Sequence, residues 1–144
     1  MDFIRIKAIG SMNSFRQADF HTYHKTLPMP LKTTVAGMLG AAIGISPSEV
    51  NSAWLKDDRF KMGIIAKNHG KANDLWQIRK YDNKQIAAYE KGADVIKSPY
   101  KTAVIIRELL YSNEFILYLS FKDASDYQLV FESLLNPKWA LSLG

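Results

Sequence analysis

No cysteine occurs among the 144 residues, which excludes disulfides, thiolate nucleophiles and cysteine-ligated zinc. Histidine is scarce, at three: His21, His24 and His69. His21-x-x-His24 lies in a proline-bounded stretch with no clear carboxylate partner, and the H-E-x-x-H helix of a zinc protease is missing. Asp57-Asp58 suits a helix end or a turn better than a metal clamp. Phosphate-cradling loops are missing too, since there is no Walker A pattern and no G-x-G-x-x-G after a strand. No apolar run approaches the roughly 18 uncharged residues of a membrane span. Met1 to Gly10 also lacks the layout of a signal peptide. The expectation is therefore no metal, no cofactor, no small-molecule substrate and no membrane contact. The lack of disulfides fits a cytoplasmic location.

What is present is the composition of an ordinary globular protein, 47% hydrophobic, 12% aromatic and 23% charged. At this length one domain over residues 1–144 can bury a real core. The net charge is +5, and its distribution says more than its total. Residues 1–55 carry five Lys and Arg against three Asp and Glu, and residues 108–144 carry two against five. Residues 56–107 carry twelve against six, so the cationic excess sits in the middle third. That pattern fits a solvated lysine-rich face or a surface for an anionic partner.

Ile4, Ile6 and Ala8 alternate with Phe3, Arg5 and Lys7, predicting a strand that Gly10-Ser11 should end. From Ser14 to Leu31 no period holds, and Pro28 and Pro30 forbid a helix there. Thr33 to Ile43 reads as a helix with Thr33 or Thr34 as N-cap. Gly37, Gly40, Ala41 and Gly44 share one face of it, suited to close packing on a sheet or to the approach of a ligand. Ser46-Pro47-Ser48-Glu49 is a capping box, with Val50, Ala53 and Trp54 as the apolar side that follows. Phe60–Ala66 suits a strand. Residues 67–102 show little period and many charges, so they read as a long insertion.

Val104–Tyr111 and Glu114–Phe121 predict a hairpin across Ser112-Asn113. A second capping box at Ser125–Gln128 predicts a helix with Tyr127, Val130, Phe131 and Leu134 inward, ended by Asn136-Pro137. Trp139 to Leu143 would start a last strand. The order is βαββαβ: a ferredoxin-like, RRM-like α+β fold with an insertion after the second strand. Such a fold hosts many functions.

Two chemistries suit these residues. RNA binding needs Lys or Arg for phosphates and exposed aromatics for bases, and the insertion supplies Trp76, Arg79, Lys80, Tyr81, Tyr89, Lys97, Tyr100 and Lys101. Those aromatics could equally pin the insertion to the core. A metal-free ribonuclease needs a base and a cation near a ribose 2′-hydroxyl, which His21, Tyr23, His24 and Lys25 could provide.

Three motifs in order then carry a resemblance: Ser14-Phe15-Arg16, Thr26-Leu27-Pro28-Met29-Pro30, and Thr33-Thr34-Val35-Ala36-Gly37-Met38-Leu39-Gly40-Ala41-Ala42. Together they resemble the N-terminal signature of the fifth family of CRISPR-associated (Cas) proteins, the RAMP-type subunit that caps the crRNA 5′ handle in type I Cascade. Arg107-Glu108-Leu109-Leu110 and Asn136–Gly144 look like further family elements, while the insertion is matched poorly. The resemblance implies a RAMP fold, a non-catalytic RNA-binding role, and an insertion that acts as a thumb over crRNA. It implies two protein partners, a backbone subunit and a large subunit. One subtype of the family does process pre-crRNA with Tyr, Lys and His, and no ordered match to that triad is found here. Under this reading Arg16, Lys25 and Lys32 near the signature, and Lys67, Arg79, Lys80 and Lys101 in the thumb, contact RNA. Family members commonly continue past the Leu-Gly element, so the resemblance implies either a compact member or a truncated chain.

Overall fold

The alternation that begins at Ile4 carries through Gly10 and Ser11, so β1 spans Ile4–Asn13. The computed structural model describes residues 3–20, 22–94 and 100–144. The Ser14–Leu31 stretch is irregular as expected, but it contains a two-residue strand, β2 (Tyr23–His24). Helix α1 covers Lys32–Ile43. Its N-cap is Leu31 with no side-chain cap bond, so neither Thr33 nor Thr34 has that role. The Ser46 capping box forms as read, with Ser46 N–H donating to Glu49 Oε2 at 2.8 Å and Glu49 N–H to Ser46 Oγ at 3.3 Å. It starts α2 (Pro47–Glu49), which widens into a π-helical stretch, Val50–Leu55. Val50 and Trp54 are buried there, as their spacing implied.

The middle of the chain departs most from the sequence reading. After β3 (Phe60–Lys67), the supposed loop forms β4 (Gly70–Lys80) and helix α3 (Asn83–Glu90). The expected hairpin across Ser112-Asn113 does not exist. Instead β5 runs unbroken from Lys101 to Phe121, 21 residues that extend about 70 Å at strand rise. Ser112 has φ 50 and pairs in none of the ladders. Burial passes from Leu110 to Asn113, an odd step that re-aims the strand as a bulge does. Asn113 fixes that point, its Nδ2 donating to Leu110 O and Asn13 Oδ1, both at 3.0 Å. Turn-forming residues here make a local kink rather than a reversal.

The sheet is five-stranded and mixed, with β5 at its centre. One edge of β5 pairs antiparallel with β1 and, further down, parallel with β2. The other edge pairs antiparallel with β3 and then β4. Beyond Ser112 the sheet becomes a ribbon formed mainly by β4 and the first half of β5 (Lys101–Tyr111), exposed along all of β4.

The core lies on one side of the upper sheet. Ile4, Phe60, Phe115, Leu117 and Leu119 pack there against Val35, Met38 and Leu39 of α1, Trp54, and Val130 of α4 (Ala124–Leu135). The Ser125 capping box is not made. The N-cap is Asp123, without a side-chain bond, because Asp126 turns inward to accept from Arg59 Nε at 2.8 Å and from its Nη2. Phe131, read as inward, is 41% exposed and stacks on Tyr127 at 6.1 Å.

Only part of the small-residue face of α1 packs, and not on the sheet: Gly37 is exposed with nothing within 4 Å of an added Cβ, while Gly40 and Gly44 are in close contact. A methyl at Gly40 would collide with Val50 Cγ2, and one at Gly44, at φ 86, would collide with Lys138. The final segment forms no strand, since its N–H groups are used elsewhere. Lys138 and Trp139 donate to the last α1 carbonyls, Ala42 O at 3.0 Å and Ala41 O at 3.2 Å. Among the described residues no helix is long and apolar enough to cross a membrane.

Candidate nucleic-acid interface

Pairing β4 with β5 brings together residues far apart in sequence. Asp74 lies opposite Arg107, Trp76 opposite Ile105, and Ile78 opposite Ala103, all on one face of the ribbon. Parallel pairing of β2 sets His24 beside Arg107 on that face. The Arg107 guanidinium lies 5.0 Å from the Trp76 ring centroid, and Trp76 Nε1 donates to Asp74. Trp76 is 45% exposed, so a ring surface remains for a ligand. Arg16 and Ser14 complete the wall of a groove of about 180 Å³ that His24, Trp76, Ile78 and Arg107 also line.

This groove has the parts that single-stranded RNA requires. Its aromatic ring and guanidinium plane can stack with bases, and its two arginines can meet phosphates. Ile78 and Ile105 add apolar lining to the groove. At the ribbon tip Lys80 and Lys101 lie directly across from each other. Like charges so placed repel and favour an anion between them. Tyr81 and Tyr100, with rings 5.9 Å apart, line a groove of about 460 Å³ there with both lysines. Arg79 covers Tyr100 at 4.8 Å.

Polar contacts tie the Ser14–Leu31 segment to itself and, through half-buried bonds to Glu108, to β5. Phe15 N–H donates to Thr26 Oγ1 at 2.8 Å, and Leu27 N–H to Phe15 O at 2.8 Å. Ser14 Oγ donates to Glu108 O at 3.2 Å, and Thr26 N–H to the Glu108 carboxylate at 3.0 Å. Lys71 reaches the same carboxylate at 3.0 Å. Burial pushes the Glu108 carboxyl up, but the Thr26 N–H, Lys71 and Lys25 outweigh it, leaving Glu108 below its ordinary value of 4.5. A carboxylate depressed in the folded state stabilises above its unfolded value and loses that effect as pH falls through the folded one. Glu108→Gln should therefore lower the urea midpoint at pH 7, and the gap to wild type should narrow as pH drops below 4.5. A gap that stays constant with pH would show that the carboxylate charge does not hold the segment.

The predicted RNA contacts do not form a single cluster. Arg16 joins the groove, and Arg79, Lys80 and Lys101 group at the ribbon tip. Lys25 sits over Phe20 at 4.6 Å. Lys32 is ion-paired with Asp58 and lies 4.9 Å from the Phe60 ring centroid. Lys67 is across from Glu114 on the upper sheet. His21 and Lys97 fall outside the described residues. The important residue missed is Arg107, whose relation to Trp76 depends on strand register. Among the described residues no three His, Asp or Glu gather in a way that could hold a metal ion.

Comparison with known proteins gives an independent finding. A chain of a solved CRISPR RNA-guided surveillance complex superposes with a TM-score of 0.69 at 19% identity, covering 99% of this chain and 57% of its own. A solved Cas protein gives a TM-score of 0.58 at 20% identity, covering 99% and 56% respectively. The chain thus spans little more than half the length of these two neighbours. No curated protein matches it. The family model described as CRISPR-associated protein (Cas_Cas5) matches residues 3–144. The chain belongs to the CRISPR-associated Cas5 family.

Proposed function

We propose that this chain is a non-catalytic RNA-binding subunit of a type I CRISPR surveillance complex, Cascade, and that it caps the crRNA 5′ handle. The observation that carries this reading is the ribbon groove, where Arg107 stacks on a half-exposed Trp76 beside Arg16. Family membership supplies the context. In this reading the β4–β5 ribbon with α3 is the thumb, and its paired lysines and tyrosines follow the RNA backbone outward. The upper sheet, ordered β1–β5–β3 with helices on one side, is read as the ferredoxin-like RAMP arrangement. A backbone subunit along the crRNA and a large subunit are the protein partners.

Salt dependence tests the electrostatic part. Single-strand binding releases about 0.7 counterion per phosphate contact. Replacing Arg79, Lys80 and Lys101 together by alanine should then weaken handle RNA binding and reduce the slope of log Kd against log salt by about 2. An unchanged slope and affinity would remove the ribbon tip from the interface.

His24 on the groove wall, beside two arginines, favours a second reading: a metal-independent endoribonuclease that processes pre-crRNA. Incubating the purified chain with labelled repeat RNA in EDTA separates the two. The proposed function predicts intact RNA, and a site-specific cut abolished by His24→Ala would replace it.

A further inference from the structure

The upper sheet has a second face, opposite the helices, that the groove does not use. Strand alternation places Arg5, Lys7, Lys61 and Lys67 on it, all exposed. Among the described residues of β1, β3 and the second half of β5, its one acid is Glu114. Lys7 binds that carboxylate at 2.9 Å. The Lys7 hydrogen bond holds Glu114 below its ordinary value, with Lys67 and Arg5 acting in the same direction. The face is therefore strongly cationic.

It also offers rings. Tyr118 lies in register between Arg5 of β1 and Gly63 of β3. Phe3, 57% exposed, sits with its ring 5.8 Å from that of Tyr118. Gly63 has no side chain, so the strand beside the Tyr118 ring is bare. A Cβ built there meets only Tyr118 Cβ, at 3.9 Å. Lys61 and Ile65 stand about 7 Å to either side of Gly63 along the strand. The result is a slot with an aromatic wall, a bare floor and cations around it.

We infer that this open face is a second surface for single-stranded nucleic acid, with a base over Gly63 against Tyr118 and phosphates on Arg5, Lys61 and Lys67. A flat ring fits a slot one strand wide, and strand-borne aromatics ringed by cations are what unpaired bases need. An acidic protein would satisfy the charge but leave the slot unfilled. The inference is separate from the ribbon groove, although both concern RNA.

The test fills the slot. Gly63→Val adds a side chain that favours strands at an exposed position where a Cβ meets only Tyr118 Cβ, at 3.9 Å, so the fold should be retained. The probe is a fluorescein-labelled 12-nucleotide oligouridylate followed by anisotropy, in wild type and in a Trp76→Ala/Arg107→Ala background. In that background Gly63→Val should weaken binding by about fivefold, the low end of a stacked base. Lys61→Ala/Lys67→Ala should weaken it similarly without touching the slot. Unchanged affinity with both variants would overturn the inference. So would a polyglutamate probe that binds through Lys61 and Lys67 while RNA ignores them, since the occupant would then be an acidic protein. Failure of the groove reading looks different: the Trp76/Arg107 background itself would bind like wild type.

Discussion

Trp76→Ala combined with Arg107→Ala should lower the affinity of the chain for crRNA handle RNA by about a hundredfold, on the order of 2.7 kcal/mol. Two effects add. Removing the ring deletes a stacking platform worth about 1–3 kcal/mol per base. Removing Arg107 deletes both a charge and the planar group lying 5.0 Å from that ring centroid. Neither residue is in the buried core, so unfolding curves should hardly change. Trp76→Phe keeps a stacking face and should recover most of the affinity if stacking is the cause. Equal weakening by Trp76→Phe and Trp76→Ala would mean that the indole N–H contact with Asp74, rather than the ring face, matters.

The second large effect concerns stability. Phe15 is 4% exposed and meets Phe115 edge-on at 5.5 Å. Phe15→Ala should cost about 3–5 kcal/mol, through lost burial and the cavity left behind. Against a total of roughly 5–15 kcal/mol for a domain, that is a large fraction. In urea the midpoint should fall with the slope preserved. Arg16, the next residue, is positioned by the same segment, so RNA affinity should fall as well. Phe131→Ala removes a ring of the same size from an exposed position and should cost under about 1 kcal/mol. A Phe15→Ala midpoint equal to that of Phe131→Ala would show that the segment is not anchored there.

The physical meaning of the Ser14–Ala42 signature follows from these contacts. Its phenylalanine and buried Thr26 seat a loop on the sheet, and its Gly40 lets α1 approach Val50 of the π-helical stretch. Only Arg16 among its cations lines the groove.

Elements with one buried face were legible from sequence because burial writes a period into the chain. β1, β3, the second half of β5 and α4 all show one, and the Ser46 capping box is a local code that works locally. β4 was not legible, since all eleven of its residues are exposed and no alternation marks it. Continuity of β5 was hidden because Ser112-Asn113 has turn composition, while the decision between kink and reversal rests on the tertiary bonds of Asn113. Trp139–Leu143 alternates like a strand, but the Trp139 N–H and that of Lys138 before it bond to α1 instead. The site suffered most from this limit. Cationic residues could be named one by one, yet Arg107 meets Trp76 only through a register that pairs residue 74 with residue 107.

Ultraviolet cross-linking of the 144-residue chain to crRNA handle RNA, with adducts mapped by mass spectrometry, addresses the ribbon groove most directly. The account predicts adducts on the peptide containing Trp76, lost in Trp76→Ala. Adducts confined to α4 and the C-terminal segment, with none on β4 or β5, would contradict it.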